Sequence, residues 1–233
     1  MSIDETEKRT IKEAVERIRK DIPDGVTLLA ATKTVSAEKI NYAHSLGINT
    51  IGENRVNELL EKYDDLDKDI DLQFIGHLQS NKVKYIIDKV SLIHSLDSEA
   101  LAKEIDKQAK KHGLIMNVLV EINIGGEESK SGIRPEEAES FIKKAALYPN
   151  ISIKGLMAIP PVCNTPKEAE NYFLKIREIF LDIKAKKVDN VNMDILSMGM
   201  SADYKEAIKC GSTMVRIGSA LFGARNYGIN GIK

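Results

Sequence analysis

Short apolar, β-branched runs alternate along this chain with stretches whose apolar residues recur every three or four positions. The first pattern predicts strands at residues 26–31, 49–52, 72–76, 90–94, 116–124, 151–159, 193–197 and 213–217. Several are apolar at nearly every position, as expected for strands of a parallel sheet covered on both faces. The intervening stretches carry helix punctuation. Thr165-Pro166-Lys167-Glu168 combines a capping hydroxyl, a first-turn proline and a glutamate three residues after the cap. Pro135 opens Glu136-Glu137 in the same way, and Gly47, Gly113 and Gly211 follow helical stretches where a left-handed residue is needed. A further helix, over residues 4–20, precedes the first strand as an extra cover.

Eight strands alternating with helices predict a single (β/α)8 TIM barrel spanning residues 1–233, with an additional N-terminal helix; an open doubly wound sheet is the competing topology. No internal repeat, linker or break in composition divides the chain. The tail after Arg225, with Gly228 and Gly231, reads as loosely ordered.

Charge narrows the partners. With 34 basic and 35 acidic side chains the net charge is −1, so no global field grips nucleic acid or an anionic membrane, and phosphate recognition must be local. The opening MSIDETEKRT has no apolar stretch behind its charges, so no secretory signal is expected, and no apolar run reaches membrane-spanning length. Cys163 and Cys210 lack paired metal-ligand spacing and read as free thiols of a reducing compartment. A cytoplasmic protein is expected, and a monomer, since a complete barrel can stand alone.

In a parallel barrel, polar residues at the carboxyl ends of the strands collect on one rim. Lys33 ends the run LLAATK. It is either a snorkelling or salt-bridged lysine, or an amine that burial keeps neutral and able to form a Schiff base with a carbonyl. Position alone leaves both open. Gly52-Glu53-Asn54 and Gly76-His77 follow strands two and three, where glycine allows close approach of a ligand or merely supplies a turn. Ser201 follows strand seven at the expected start of a helix near Ala202-Asp203, a plain N-cap position that also suits phosphate. Gly218 and Ser219 follow strand eight and could add donors. Arg216, between Val215 and Ile217, needs a partner inside its strand, either a neighbouring carboxylate or a ligand. Together these residues suit a phosphorylated aldehyde bound as an imine. His77 is a possible proton carrier at the rim. His44, His94 and His112 read as packing residues, and Tyr204 as packing on its helix. No zinc cluster, catalytic triad or nucleotide fingerprint stands out.

Seven segments in order match a known family: AATKTVS, IGENRVNE, QFIGHLQSNK, VEINIGGEESKSG, IKGLMAIPP, LSMGMSADYKEAI and GSTMVRIGSALFGAR. The chain resembles the pyridoxal phosphate homeostasis proteins, related to the amino-terminal barrel of alanine racemase. The resemblance implies that Lys33 forms the aldimine with pyridoxal 5′-phosphate and that Arg216 faces the pyridine nitrogen. It implies that Ser201, Gly218 and Ser219 hold the phosphate, that Asn54 and His77 line the pocket, and that Lys130 faces it. Ser219 stands where the family often has threonine, which keeps the hydroxyl. The chain ends eight residues after Arg225, leaving no room for the second racemase domain, so strong racemase activity is not expected. The implied function is a cofactor carrier that buffers pyridoxal 5′-phosphate or delivers it to apo-enzymes. The alternatives are a weak amino-acid racemase or other enzyme using the same cofactor and, more distantly, a Schiff-base aldolase.

Overall fold

The structure is a computed structural model that describes residues 3–127 and 130–223. Eight parallel strands close into a barrel in sequence order: β1 (Thr27–Ala31), β2 (Thr50–Glu53), β3 (Asp71–Phe74), β4 (Leu92–Leu96), β5 (Met116–Ile122), β6 (Ile151–Ala158), β7 (Val191–Met200) and β8 (Met214–Ile217). The closure is the pairing of β1 with β8, in which Leu29 lies opposite Arg216. The open-sheet alternative is thereby excluded. The tail after Arg225, expected to be loosely ordered, lies outside the described residues.

Helix α1 (Glu5–Arg19) precedes the barrel, followed by α2 (Ala37–Ser45), α3 (Val56–Lys62), α4 (Glu99–His112), α5 (Ala138–Ala145), α6 (Pro166–Ala185), α7 (Tyr204–Lys209) and α8 (Ser219–Phe222). One connection departs from the regular alternation. Between β3 and β4 the chain makes only a six-residue 3-10 helix, Ser80–Tyr85, and the Pro135 segment likewise opens with a 3-10 turn before α5. The caps follow the sequence more closely. Thr165 accepts the Glu168 N–H at 3.2 Å with Pro166 in the first turn, and Gly113 closes α4 with φ of 66°. At α1, Asp4 and Glu7 form a reciprocal capping box.

The side-chain alternation along β1 separates two cores. Ala30 belongs to the large apolar layer between strands and helices, whereas Leu29 and Ala31 point the other way, into the barrel, with Ile75 and Met214. Leu92, Leu119 and Met157 form a second interior cluster. Helix α1 packs on α2 and on the short α8, burying Ile11, Val15 and Ile18, and so widens the cover that four residues of α8 supply. No helix among the described residues is long and apolar enough to cross a membrane.

Candidate functional site

The loop after β1 carries Lys33, which is half-buried. The next residue, Thr34, has φ of 64°, a left-handed conformation that a β-branched residue adopts only when its surroundings enforce it. Here they do. The Thr34 N–H donates to the Glu58 carboxylate. Lys62 Nζ bridges Glu58 Oε1 at 2.7 Å and Glu53 Oε1 at 2.9 Å, and donates to the Thr32 carbonyl at 3.0 Å. Thr32 Oγ1 donates to Glu53 Oε1 at 2.7 Å. Glu53 is only 1% exposed; burial pushes its carboxyl up, and Lys62 opposes the shift. The residues on either side of Lys33 are therefore tied to one buried ion pair from β2 and α3. Lys62 went unnoticed in the sequence because no spacing rule links a lysine at the end of α3 to a strand carboxylate nine residues earlier.

The loops after β7 and β8 meet differently from the expected capping arrangement. Ser201 does not cap α7: that helix starts at Tyr204, and Asp203 Oδ1 accepts the Met200 N–H at 2.6 Å. Instead Ser201 Oγ accepts the N–H groups of Gly218 and Ala220, both at 3.2 Å, and so joins the two loops. The strand leading into the first of these loops requires a glycine near its end. Gly199 has φ of 92°, and a Cβ there would stand 2.5 Å from the Ala207 Cβ. The backbone N–H groups of Ser201 and Ala202 meet no protein acceptor among the described residues. Tyr204 packs as expected, and its hydroxyl donates to Asp21 at 2.7 Å, which with burial pushes its pKa up to about 12.

Arg216 is buried in β8 without a carboxylate in ion-pair contact among the described residues, so the bland expectation of a neighbouring carboxylate is not met. Its Nη1 donates to the Ser197 carbonyl at 2.8 Å and to Ser197 Oγ at 2.6 Å, and its Nη2 to the Ala158 carbonyl at 3.1 Å. A guanidinium has five N–H groups, which leaves two for a ligand. Burial pulls its pKa down to about 10, against the pull of Glu121 and Asp203. His94, read from sequence as packing, lies wholly buried in the barrel interior, 3.3 Å from Ser197 Oγ.

A cleft of about 320 Å³ at the carboxyl ends of the strands is lined by Lys33, Asn54, Ser201, Arg216, Gly218 and Ser219. Ala31, Ile75 and Ile159 supply its apolar wall. Six of the seven residues singled out in the sequence thus converge. Asn54 Oδ1 is buried there without a hydrogen-bond partner. Its backbone lies so close to Gly76 that a Cβ on that glycine would stand 2.1 Å from the Asn54 carbonyl oxygen, so the Gly76 turn serves this approach. The seventh residue, His77, faces a separate cavity of about 800 Å³ that shares Asn54 with the cleft. His77 is 59% exposed, with Nδ1 3.0 Å from Ser131 Oγ and 3.4 Å from Asp97 Oδ2. Lys130 pairs with Glu127. Glu121, on β5, was not singled out; burial and the Asp97 charge push its carboxyl up to about 7. Among the described residues no group of three or more potential ligands is placed to hold a metal ion.

Comparisons with known proteins agree with the fold. The family described as alanine racemase, N-terminal domain, matches residues 7–226. The pyridoxal phosphate homeostasis protein of Aquifex aeolicus is 48% identical over 202 residues, covering 86% of this chain and 87% of that protein. The protein of the same name from Escherichia coli is 37% identical over 209 residues, 88% of each. Among solved structures, PipY of Synechococcus elongatus with PLP bound superposes with a TM-score of 0.83 at 30% identity, covering 91% of this chain and 100% of PipY. Alanine racemase from Corynebacterium glutamicum shares the barrel, with a TM-score of 0.76 at 15% identity over 97% of this chain and 64% of that enzyme. The chain belongs to the pyridoxal phosphate homeostasis protein family, built on the alanine racemase N-terminal barrel.

Proposed function

We propose that this chain binds pyridoxal 5′-phosphate in the cleft at the carboxyl ends of β1, β2, β7 and β8, and serves cofactor homeostasis by holding and releasing it. The observation that carries the reading is the convergence of a half-buried amine, a buried guanidinium and two serine hydroxyls on one cleft. Its volume of about 320 Å³ lies within the range of small-molecule sites, roughly 300–1,000 Å³. The residues present fit the group: Asn54 has an orphaned oxygen, Arg216 has two unused N–H groups, and Ser201 and Ala202 offer free backbone N–H groups.

In this reading Lys33 Nζ would condense with the cofactor's aldehyde, the carbonyl oxygen leaving as water, and hydrolysis or exchange with another amine would reverse the attachment. The hydroxyls of Ser201 and Ser219, the Gly218 backbone and the nearby N–H groups hold the phosphate. Asn54 satisfies a polar group of the ring, and His77 guards the approach from the neighbouring cavity. Arg216 faces the pyridine nitrogen. When bound, the cofactor supplies an electrophilic aldehyde and an electron sink whose strength depends on protonation of its ring nitrogen. A guanidinium donates a hydrogen bond to that nitrogen but is too weak an acid to protonate it, so the nitrogen would stay unprotonated. Such a site favours holding the cofactor over α-carbon chemistry. Release then goes to amines or to lysines of apo-enzymes, by a monomer acting in the cytoplasm.

A second reading, a weak amino-acid racemase or another enzyme using this cofactor, is favoured by Glu121. A carboxyl with a pKa of about 7, within the electrostatic reach of Arg216, can take up and give back a proton at neutral pH. Incubating the loaded protein with L- and D-amino acids in heavy water separates the two. The carrier reading expects α-proton loss no faster than with free cofactor. Rapid exchange that depends on both Lys33 and Glu121 would contradict it.

A further inference from the structure

A line of hydrogen bonds crosses the barrel interior from the floor of the cleft to the opposite mouth. Arg216 Nη1 donates to Ser197 Oγ at 2.6 Å, and Ser197 Oγ lies 3.3 Å from His94 Nδ1. His94 Nε2 is 2.7 Å from Gln73 Oε1, and Gln73 Nε2 is 2.7 Å from Asp71 Oδ2. The line uses β8, β7, β4 and β3. Arg216, Ser197, His94 and Gln73 are all at most 5% exposed, while Asp71 opens β3 at the amino-terminal mouth and is only half-buried. Ser91 Oγ donates to the other oxygen of Asp71 and fixes the carboxylate from outside.

The carboxylate sets the direction of the whole line. It only accepts, so Gln73 must turn its amide N–H toward Asp71 and its carbonyl toward His94. The reversed amide would press a carbonyl oxygen against a carboxylate oxygen at 2.7 Å. His94 Nε2 must then carry the proton, and a neutral imidazole has only one, so Nδ1 presents a lone pair. Burial, with the positive charge of Arg216 nearby, holds His94 in that neutral form by pulling its pKa well below the usual value. Ser197 therefore gives its hydroxyl proton to His94 and turns only lone pairs to the guanidinium. A packing role alone would call for none of this order, since an apolar ring of similar size fills the same volume.

We propose that Ser197, His94 and Gln73 are positioning residues: a one-way relay, oriented by Asp71, that fixes the Arg216 guanidinium with its unused N–H groups toward the cleft. The occupant of the cleft rests on the cofactor reading above, but the relay itself is a property of the ligand-free chain.

The test reads both. In the ligand-free protein at neutral pH, ¹⁵N NMR of the His94 ring is expected to show a neutral imidazole protonated on Nε2. In Asp71→Asn, whose change sits at the mouth, the direction is released and a mixture of the two tautomers is expected. A charged ring, a proton on Nδ1, or an unchanged tautomer in Asp71→Asn would overturn the relay. With pyridoxal 5′-phosphate as probe, Ser197→Ala and His94→Phe are expected to weaken binding about tenfold, the loss of one buried hydrogen bond, and to shift the absorption of the bound cofactor. His94→Asn, whose Oδ1 replaces the Nδ1 lone pair, is expected to restore most of both. Affinity and spectrum unchanged in a folded His94→Phe would also overturn it. If that variant does not fold, the tautomer measurements decide. A wild-type chain that binds no cofactor would remove the cofactor reading and leave the relay to NMR.

Discussion

Ser201 Oγ accepts the backbone N–H of Gly218 at 3.2 Å, tying the loop after β7 to the loop after β8 across the cleft. The same oxygen takes the Ala220 N–H. A residue expected from sequence to grip a ligand is therefore also a clamp that shapes the cleft, and the two serines of the proposed phosphate site are not equivalent.

Ser201→Ala is expected to cost stability as well as affinity. Two part-buried N–H groups lose their acceptor, a loss of about 1–3 kcal/mol in urea unfolding. Ser219→Ala is expected to leave the unfolding midpoint within about 0.5 kcal/mol of wild type and to weaken cofactor binding. Equal stability of the two variants would show that Ser201 does not clamp the loops.

Lys62→Met is expected to destabilise the protein by about 3 kcal/mol, because it leaves the buried Glu53 carboxylate without its cation. The double variant Lys62→Met with Glu53→Gln is expected to recover much of that loss. Since the ion pair anchors the residues flanking Lys33, cofactor occupancy should fall with Lys62→Met and return in part with the double variant. Additive losses in the double-mutant cycle would contradict the coupling.

Glu121 gives a pH signature of known sign. Its carboxyl binds a proton more tightly in the folded chain, with a pKa of about 7, than the usual 4.5 of the unfolded one. Its contribution is fully present below pH 4.5 and is lost as pH rises through 7. Glu121→Gln is expected to remove that decline and to make the ligand-free protein more stable than wild type at pH 8, by roughly 2 kcal/mol. Parallel stability curves for the two proteins between pH 5 and 8 would contradict the shifted carboxyl. Asp97 and Arg216 are the charges that act on it, the first raising and the second lowering its pKa.

The barrel was legible because buried parallel strands are apolar on both faces, and runs such as 151–159 and 116–124 have no competing reading as amphipathic helices. All eight expected strands overlap observed ones. Strand ends were less legible. Strand β7 continues past residue 197 to Met200, and its register with β8 shifts between Ser197 and Met200, a change that no local pattern records. The missing α-helix between β3 and β4 is of the same kind: the alternation of strands and helices implies one there, but Ser80–Tyr85 forms a 3-10 helix. At the site, position at a strand end sufficed to bring Lys33, Asn54, Ser201, Arg216, Gly218 and Ser219 together. It could not distinguish two adjacent cavities, so His77 was grouped with the cleft although it faces the other. Nor could it reveal His94, because a histidine within an apolar strand looks the same whether it packs or bonds. Only the closure of the barrel brings β4 across from β7.

The central claim is that Lys33 carries the cofactor. The protein would be incubated with pyridoxal 5′-phosphate, reduced with borohydride, digested and mapped by mass spectrometry, with Lys33→Ala alongside. The account predicts one dominant pyridoxyl label on Lys33 and loss of that label, with no comparable replacement, in Lys33→Ala. A label spread over exposed lysines, or equal labelling of the variant at other positions, would contradict it.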